Sequence, residues 1–96
     1  MYRIERTIEF ENWLGGLRDQ RAREKVATRL ARVESGLLGD WKPVGDGVSE
    51  LRVDYGSGYR LFYTMRGQVL VILLCGSDKR DQDRAIRLAK ALAKTV

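Results

Sequence analysis

The sequence predicts an α+β fold, a small and mostly antiparallel sheet covered by helices, in the order β-α-α-β-β-β-α. Three observations carry this. Residues 48–75 hold three β-rich apolar runs separated by two glycine-bearing turns. Ala22, Val26, Leu30, Val33 and Leu37 recur at helical spacing, one apolar stripe among arginines. Ala85, Ile86, Ala89, Leu92 and Ala93 form a second stripe near the C-terminus.

Each element has its own local reason. Tyr2 to Thr7 alternates and reads as an edge or near-edge strand. Glu9 to Leu17 is a short helix or turn ending at Gly15-Gly16. Asp19 is the expected N-cap of the long helix, which ends near Gly36. Trp41 to Gly47, with Pro43, reads as a surface-exposed connector, with a short extended piece as the alternative. Val48 to Asp54 and Tyr59 to Met65 are strands joined by Tyr55-Gly56-Ser57-Gly58, whose glycines suit a tight reversal. Arg66-Gly67-Gln68 turns the chain into Val69 to Cys75, apolar on both faces and so central. Gly76-Ser77 reads as a sharp stop. The last helix runs from Asp81 to Lys94, with Asp78, Lys79 and Arg80 at its opening.

Length and composition set the outer limits. The 96 residues suit one domain, 1–96, with no linker or internal repeat. A hydrophobic fraction of 44% is too high for a disordered chain. No apolar run is long enough for a membrane span, and the N-terminus lacks a signal-peptide core. One cysteine makes no internal disulfide, so a cytoplasmic location is expected. Net charge is +5. Residues 1–48 balance to +1 and residues 49–96 to +4, so the excess lies with the strands. That bias suits a polyanionic partner, either nucleic acid or an acidic protein.

Three segments together resemble a known family. They are Glu50-Leu51-Arg52, Gly58-Tyr59-Arg60-Leu61-Phe62-Tyr63, and the run from Leu73 through Gly76-Ser77-Asp78-Lys79-Arg80 to Asp83. They resemble the RelE/ParE toxin superfamily, most closely its HigB-like branch of addiction-module killer proteins, over essentially the whole chain. The resemblance implies a RelE-like fold and the toxin of a type II toxin–antitoxin pair. RelE-like members are ribosome-dependent endoribonucleases that cut mRNA through its 2′-hydroxyl. The implied partners are a helix-turn-helix antitoxin, the ribosome and mRNA, with no cofactor and no membrane. Two other outcomes stay open: a ParE-like poison of DNA gyrase without nuclease activity, or an inactive homologue that only binds its antitoxin.

The residue types are consistent with nuclease chemistry of one kind. Histidine is absent, which excludes a histidine acid–base pair, and no metal-ligand spacing is visible. Electrostatic catalysis remains, with arginines stabilising charge as it develops on the phosphorane. Arg60, mid-strand, matches the family's catalytic strand arginine; an ion pair with Asp54 or Glu50 is the structural alternative. Its removal as Arg60→Ala is expected to abolish function without disturbing the fold. Arg52 lies on the facing strand, where the better-known RelE pattern has lysines. Lys79 and Arg80 match the family's basic pair after the third of these strands. Glu50 and Asp78 are candidate general bases, although such carboxylates more often orient an arginine. Tyr59 and Tyr63 share a strand face and are candidates for base stacking, or else core. Arg29 and Arg32, on the basic helix, are candidates for RNA contact, or else a solvated face. Cys75 reads as a small buried hydrophobe, and Trp13 and Trp41 as packing residues.

Overall fold

Apolar residues alternating along the second half of the chain build an antiparallel meander, and the first strand returns beside it. The computed structural model describes residues 1–96. Its elements are β1 (Arg3–Arg6), α1 (Ile8–Gly15), α2 (Gln20–Glu34), β2 (Trp41–Gly45), β3 (Val48–Val53), β4 (Tyr59–Arg66), β5 (Leu70–Asp78) and α3 (Gln82–Ala93). The five-stranded mixed sheet runs β1-β5-β4-β3-β2. Strands β2 to β5 pair antiparallel, and β1 joins β5 in parallel. The fold is α+β, with helices on both faces of the sheet.

Caps place the helices. Thr7 accepts the Phe10 amide at 3.0 Å and donates its hydroxyl to the Leu74 carbonyl at 2.6 Å, tying the start of α1 to β5. Asp19 caps α2 by accepting the amides of Arg21 and Ala22. One face of the sheet buries Leu51, Val53, Leu61, Tyr63, Val71 and Leu73 against Phe10, Val26, Leu30 and Val33. The other buries Val48, Phe62, Ile72, Leu74 and Cys75 against Ala85 and Ala89 of α3. No helix is long and apolar enough to cross a membrane.

Four local expectations are corrected. Trp41–Gly45 is a strand rather than a connector, in register with Leu51, Glu50 and Ser49. Its edge position is what makes Pro43 tolerable, and a bulge follows before Gly45. Helix α2 ends at Glu34, so Leu37 leaves the apolar stripe and stands 63% exposed. Strand β5 does not stop at Gly76-Ser77 but continues to Asp78. The glycine serves packing: a Cβ there would stand 2.3 Å from Trp13, whose ring lies over the strand. Finally, α3 begins at Gln82, so Lys79 and Arg80 belong to the preceding loop rather than to the helix.

The Trp13–Gly76 contact yields a stability prediction. Gly76→Ala should cost about 1–3 kcal/mol, the usual range for overpacking. In a Trp13→Ala background the same change should cost much less. Urea denaturation of the four proteins checks this, and equal penalties in both backgrounds would contradict it.

Candidate functional site

Strand register assembles the site. Arg52 on β3 is directly opposite Arg60 on β4, and Arg60 is opposite Ser77 on β5. The next row toward α3 pairs Lys42 with Glu50, Glu50 with Phe62, and Phe62 with Cys75. Directly opposed residues share a sheet face. Phe62 packs beneath α3, so the arginine row lies on the α3 face.

Like charges placed opposite one another destabilise a strand pair. One carboxylate offsets this, and only for one arginine. Glu50 is fully buried, and its Oε2 accepts from Arg60 Nη1 at 2.7 Å. Its Oε1 faces Lys42 Nζ at 3.6 Å. Arg52 has no such counterion, and its buried Nε has no hydrogen-bond partner. The Arg52 backbone is held on both sides: its amide donates to the Asp40 carbonyl, and its carbonyl accepts from Arg29 Nε, both at 3.0 Å.

Above this row lies a cleft of about 400 Å³ lined by Arg52, Arg60, Lys79, Tyr59, Asp40, Asp54 and the 56–58 turn. A second recess of about 650 Å³ shares Asp40, Arg52, Val53 and Asp54 and runs along Lys25, Thr28, Arg29 and Arg32 of α2. Six cations and two carboxylates line the two together. A continuous track of that charge suits a polyanion.

The structure therefore brings Arg60, Arg52 and Lys79 together, with Arg32 farther along the track. Other candidates fall elsewhere. Arg80 is 88% exposed, and its Nη2 donates to Asp78 Oδ2 at 2.9 Å. Being outside α3, it does not present its charge at a helix terminus. Glu50 is sealed in the ion pair and is corrected from base to orienter of Arg60. Asp78 is held below the ordinary carboxylate range by the Arg80 guanidinium and amide, which weakens it as a base. Tyr63 is 3% exposed in the core and cannot stack on a nucleobase; burial raises its hydroxyl pKa. Tyr59 is half-buried, edge-on to Trp13 at 6.2 Å, and still reaches the cleft.

Arg29 is the clearest correction. Rather than sitting on a solvated face, it is buried, and it donates to the carbonyls of Arg52, Leu38 and Asp40. Burial lowers its pKa. The sequence signal was present: Arg29 abuts Leu30 on the apolar stripe. The nearby Gly39 also fits, since a Cβ there would press on the guanidinium at 3.1 Å. Cys75 is buried, and its thiol is pushed up to about 12, so it stays protonated. Trp13 packs against Phe10 and Tyr59, whereas Trp41 is 45% exposed.

Residues 12–95, which include every residue of the cleft, match the profile of the phage-derived Gp49-like proteins (DUF891). The chain belongs to the Gp49-like family. That family is toxin-like, of the RelE/HigB type. An uncharacterized protein of Haemophilus influenzae is 47% identical over 93 residues, covering 97% of this Gp49-like chain and 94% of its own length.

Two predictions follow from the ion pairs. Removing one partner of a buried pair strands the other, typically at about 3–5 kcal/mol. Arg60→Ala should therefore destabilise the protein, toward the lower end because Lys42 remains near Glu50. This replaces the expectation that it leaves the fold intact. Arg60→Lys should retain most of the stability, and Glu50→Gln should recover much of the Arg60→Ala loss, as judged by denaturant midpoints. For Asp78, NMR titration should show a carboxyl pKa below its ordinary 3.8, rising in Arg80→Ala. Because the folded value is depressed, the associated stability is present above pH about 4 and is lost as pH falls through the folded pKa. An unshifted Asp78 would contradict the contact.

Proposed function

We propose that this protein is the toxin of a type II toxin–antitoxin pair and acts as a ribosome-dependent mRNA endoribonuclease. The observation that carries the reading is the Arg52–Arg60 pair: two arginines opposed across strands, of which only Arg60 is paired with a buried carboxylate, Glu50. Such a pair leaves an anion to be supplied from outside. Family membership of the RelE/HigB type supports a toxin, and the cationic track supports a nucleic-acid substrate.

In this reading the scissile phosphate sits on Arg52 and Arg60, with Lys79 at the side of the cleft. The ribose 2′-hydroxyl attacks phosphorus, and negative charge grows on the phosphorane oxygens and the departing 5′ oxygen. Preformed guanidiniums stabilise that charge without reorganising, and loss of one such donor costs about 10²–10³-fold in rate. The cations fix a phosphate but do not align its neighbouring 2′-hydroxyl for in-line attack. The ribosome supplies that alignment by holding the mRNA. The partner is a helix-turn-helix antitoxin that covers the cationic cleft.

Induction in a bacterial host followed by pulse labelling tests this. Translation should stop before replication, and cleaved mRNA should carry a 2′,3′-cyclic phosphate or 3′-phosphate. Arg60→Lys, which preserves charge but loses the paired N–H geometry, should slow cleavage at least 100-fold while remaining folded. A replication block without mRNA cleavage would favour gyrase as the target. A 3′-hydroxyl product would overturn the mechanism.

A further inference from the structure

We propose that Asp54 is the general base that takes the proton from the attacking 2′-hydroxyl; this rests on the nuclease reading above. Four carboxylates stand near the arginine row. Glu50 is sealed against Arg60, and Asp78 is bound by Arg80. Asp40 meets Arg29 through its backbone carbonyl, which accepts from Nη2 at 3.0 Å, and its negative charge favours the Arg29 cation. Asp54 makes no ion pair and no side-chain hydrogen bond, and it lines both halves of the track. Asp40 shares that freedom, so what singles out Asp54 is its place directly after the strand that carries Arg52.

Its placement suits the role. Asp54 directly follows β3, two residues beyond Arg52. That spacing separates the two Cα atoms by roughly 7 Å, enough for a phosphate on the arginine and its ribose hydroxyl toward the carboxylate. Gly56, Ser57 and Gly58 of the same turn also line the cleft, and the two glycines put no side chain into it. The turn is held from its far side, where Tyr55 donates its hydroxyl to Asp19 Oδ2 at 2.9 Å and its amide to the Val53 carbonyl at 3.1 Å. The carboxylate thus stands on a braced turn rather than a free loop.

The step balances. The 2′ O–H proton passes to an Asp54 oxygen as the 2′ oxygen bonds to phosphorus. The P–O5′ bond breaks with its electron pair on O5′. The proton then reaches the 5′ oxygen through solvent, which leaves a 2′,3′-cyclic phosphate, a 5′-hydroxyl and ionised Asp54.

The test is single-turnover cleavage of mRNA on purified ribosomes by the intact toxin and its variants, with ribosome binding measured in parallel. A positioned general base typically contributes 10²–10⁴-fold. Asp54→Asn should lose at least 100-fold in cleavage rate with ribosome affinity and thermal midpoint unchanged, and Asp54→Glu should recover part of the rate. If Asp54→Asn cleaves like the parent, or if Asp40→Asn alone shows the loss, the assignment of Asp54 is overturned while the nuclease reading stands. If the parent protein itself cleaves nothing, both are overturned.

Discussion

The site depends on an imbalance across β3 and β4: of two opposed arginines, only Arg60 is paired with the one buried carboxylate, Glu50. Burying a charge is costly unless it is paired. Glu50 meets that condition through Arg60, and Lys42 approaches its other oxygen. Arg52, partly exposed to the cleft, has no carboxylate partner, and its buried Nε makes no hydrogen bond. Arg60 is thus both a structural ion-pair partner and a cleft residue, 16% exposed on its cleft side. A phosphodiester would satisfy the pair that the protein leaves incomplete.

Other contacts hold this row in place. Arg29 gathers the carbonyls of Arg52, Leu38 and Asp40, clamping the α2–β2 loop onto β3. Hydrogen bonds to a charged donor are worth about 1.5–3 kcal/mol each, so this clamp is a substantial part of the local stability. Asp19 caps α2 and also receives the Tyr55 hydroxyl, linking the helix start to the turn that borders the cleft. That hydrogen bond lowers the Asp19 pKa and raises that of Tyr55. On the far face, Trp13 over Gly76 abuts Tyr59, so the strand carrying Arg60 is supported from behind.

Much of this was legible in the sequence because periodicity is a local property. The stripes of α2 and α3, the meander and the 55–58 turn all follow from spacing and glycine placement. What was not legible depended on long-range partners. Strand β2 was obscured by Pro43 and Gly45, residues that only an edge position with a bulge accommodates. Gly76 read as a stop because its purpose, admitting the Trp13 ring, lies 63 residues away in sequence. The site divided in the same way. Arg52, Arg60 and Lys79 were found from their placement among the strands. Arg29 was misjudged because its three carbonyl partners lie on another loop and strand, and Asp54 was noticed only as a counterion.

The central claim is that Arg52 and Arg60 together await a phosphodiester. The most direct measurement is an NMR titration with a short RNA carrying a 2′-deoxy substitution at the cleavage point, followed through the arginine Nε–Hε resonances. The account predicts that Arg52 and Arg60 shift most and saturate together, while the exposed Arg84 on α3 stays fixed. Saturable binding that moves Arg84 but leaves Arg52 and Arg60 unchanged would contradict it.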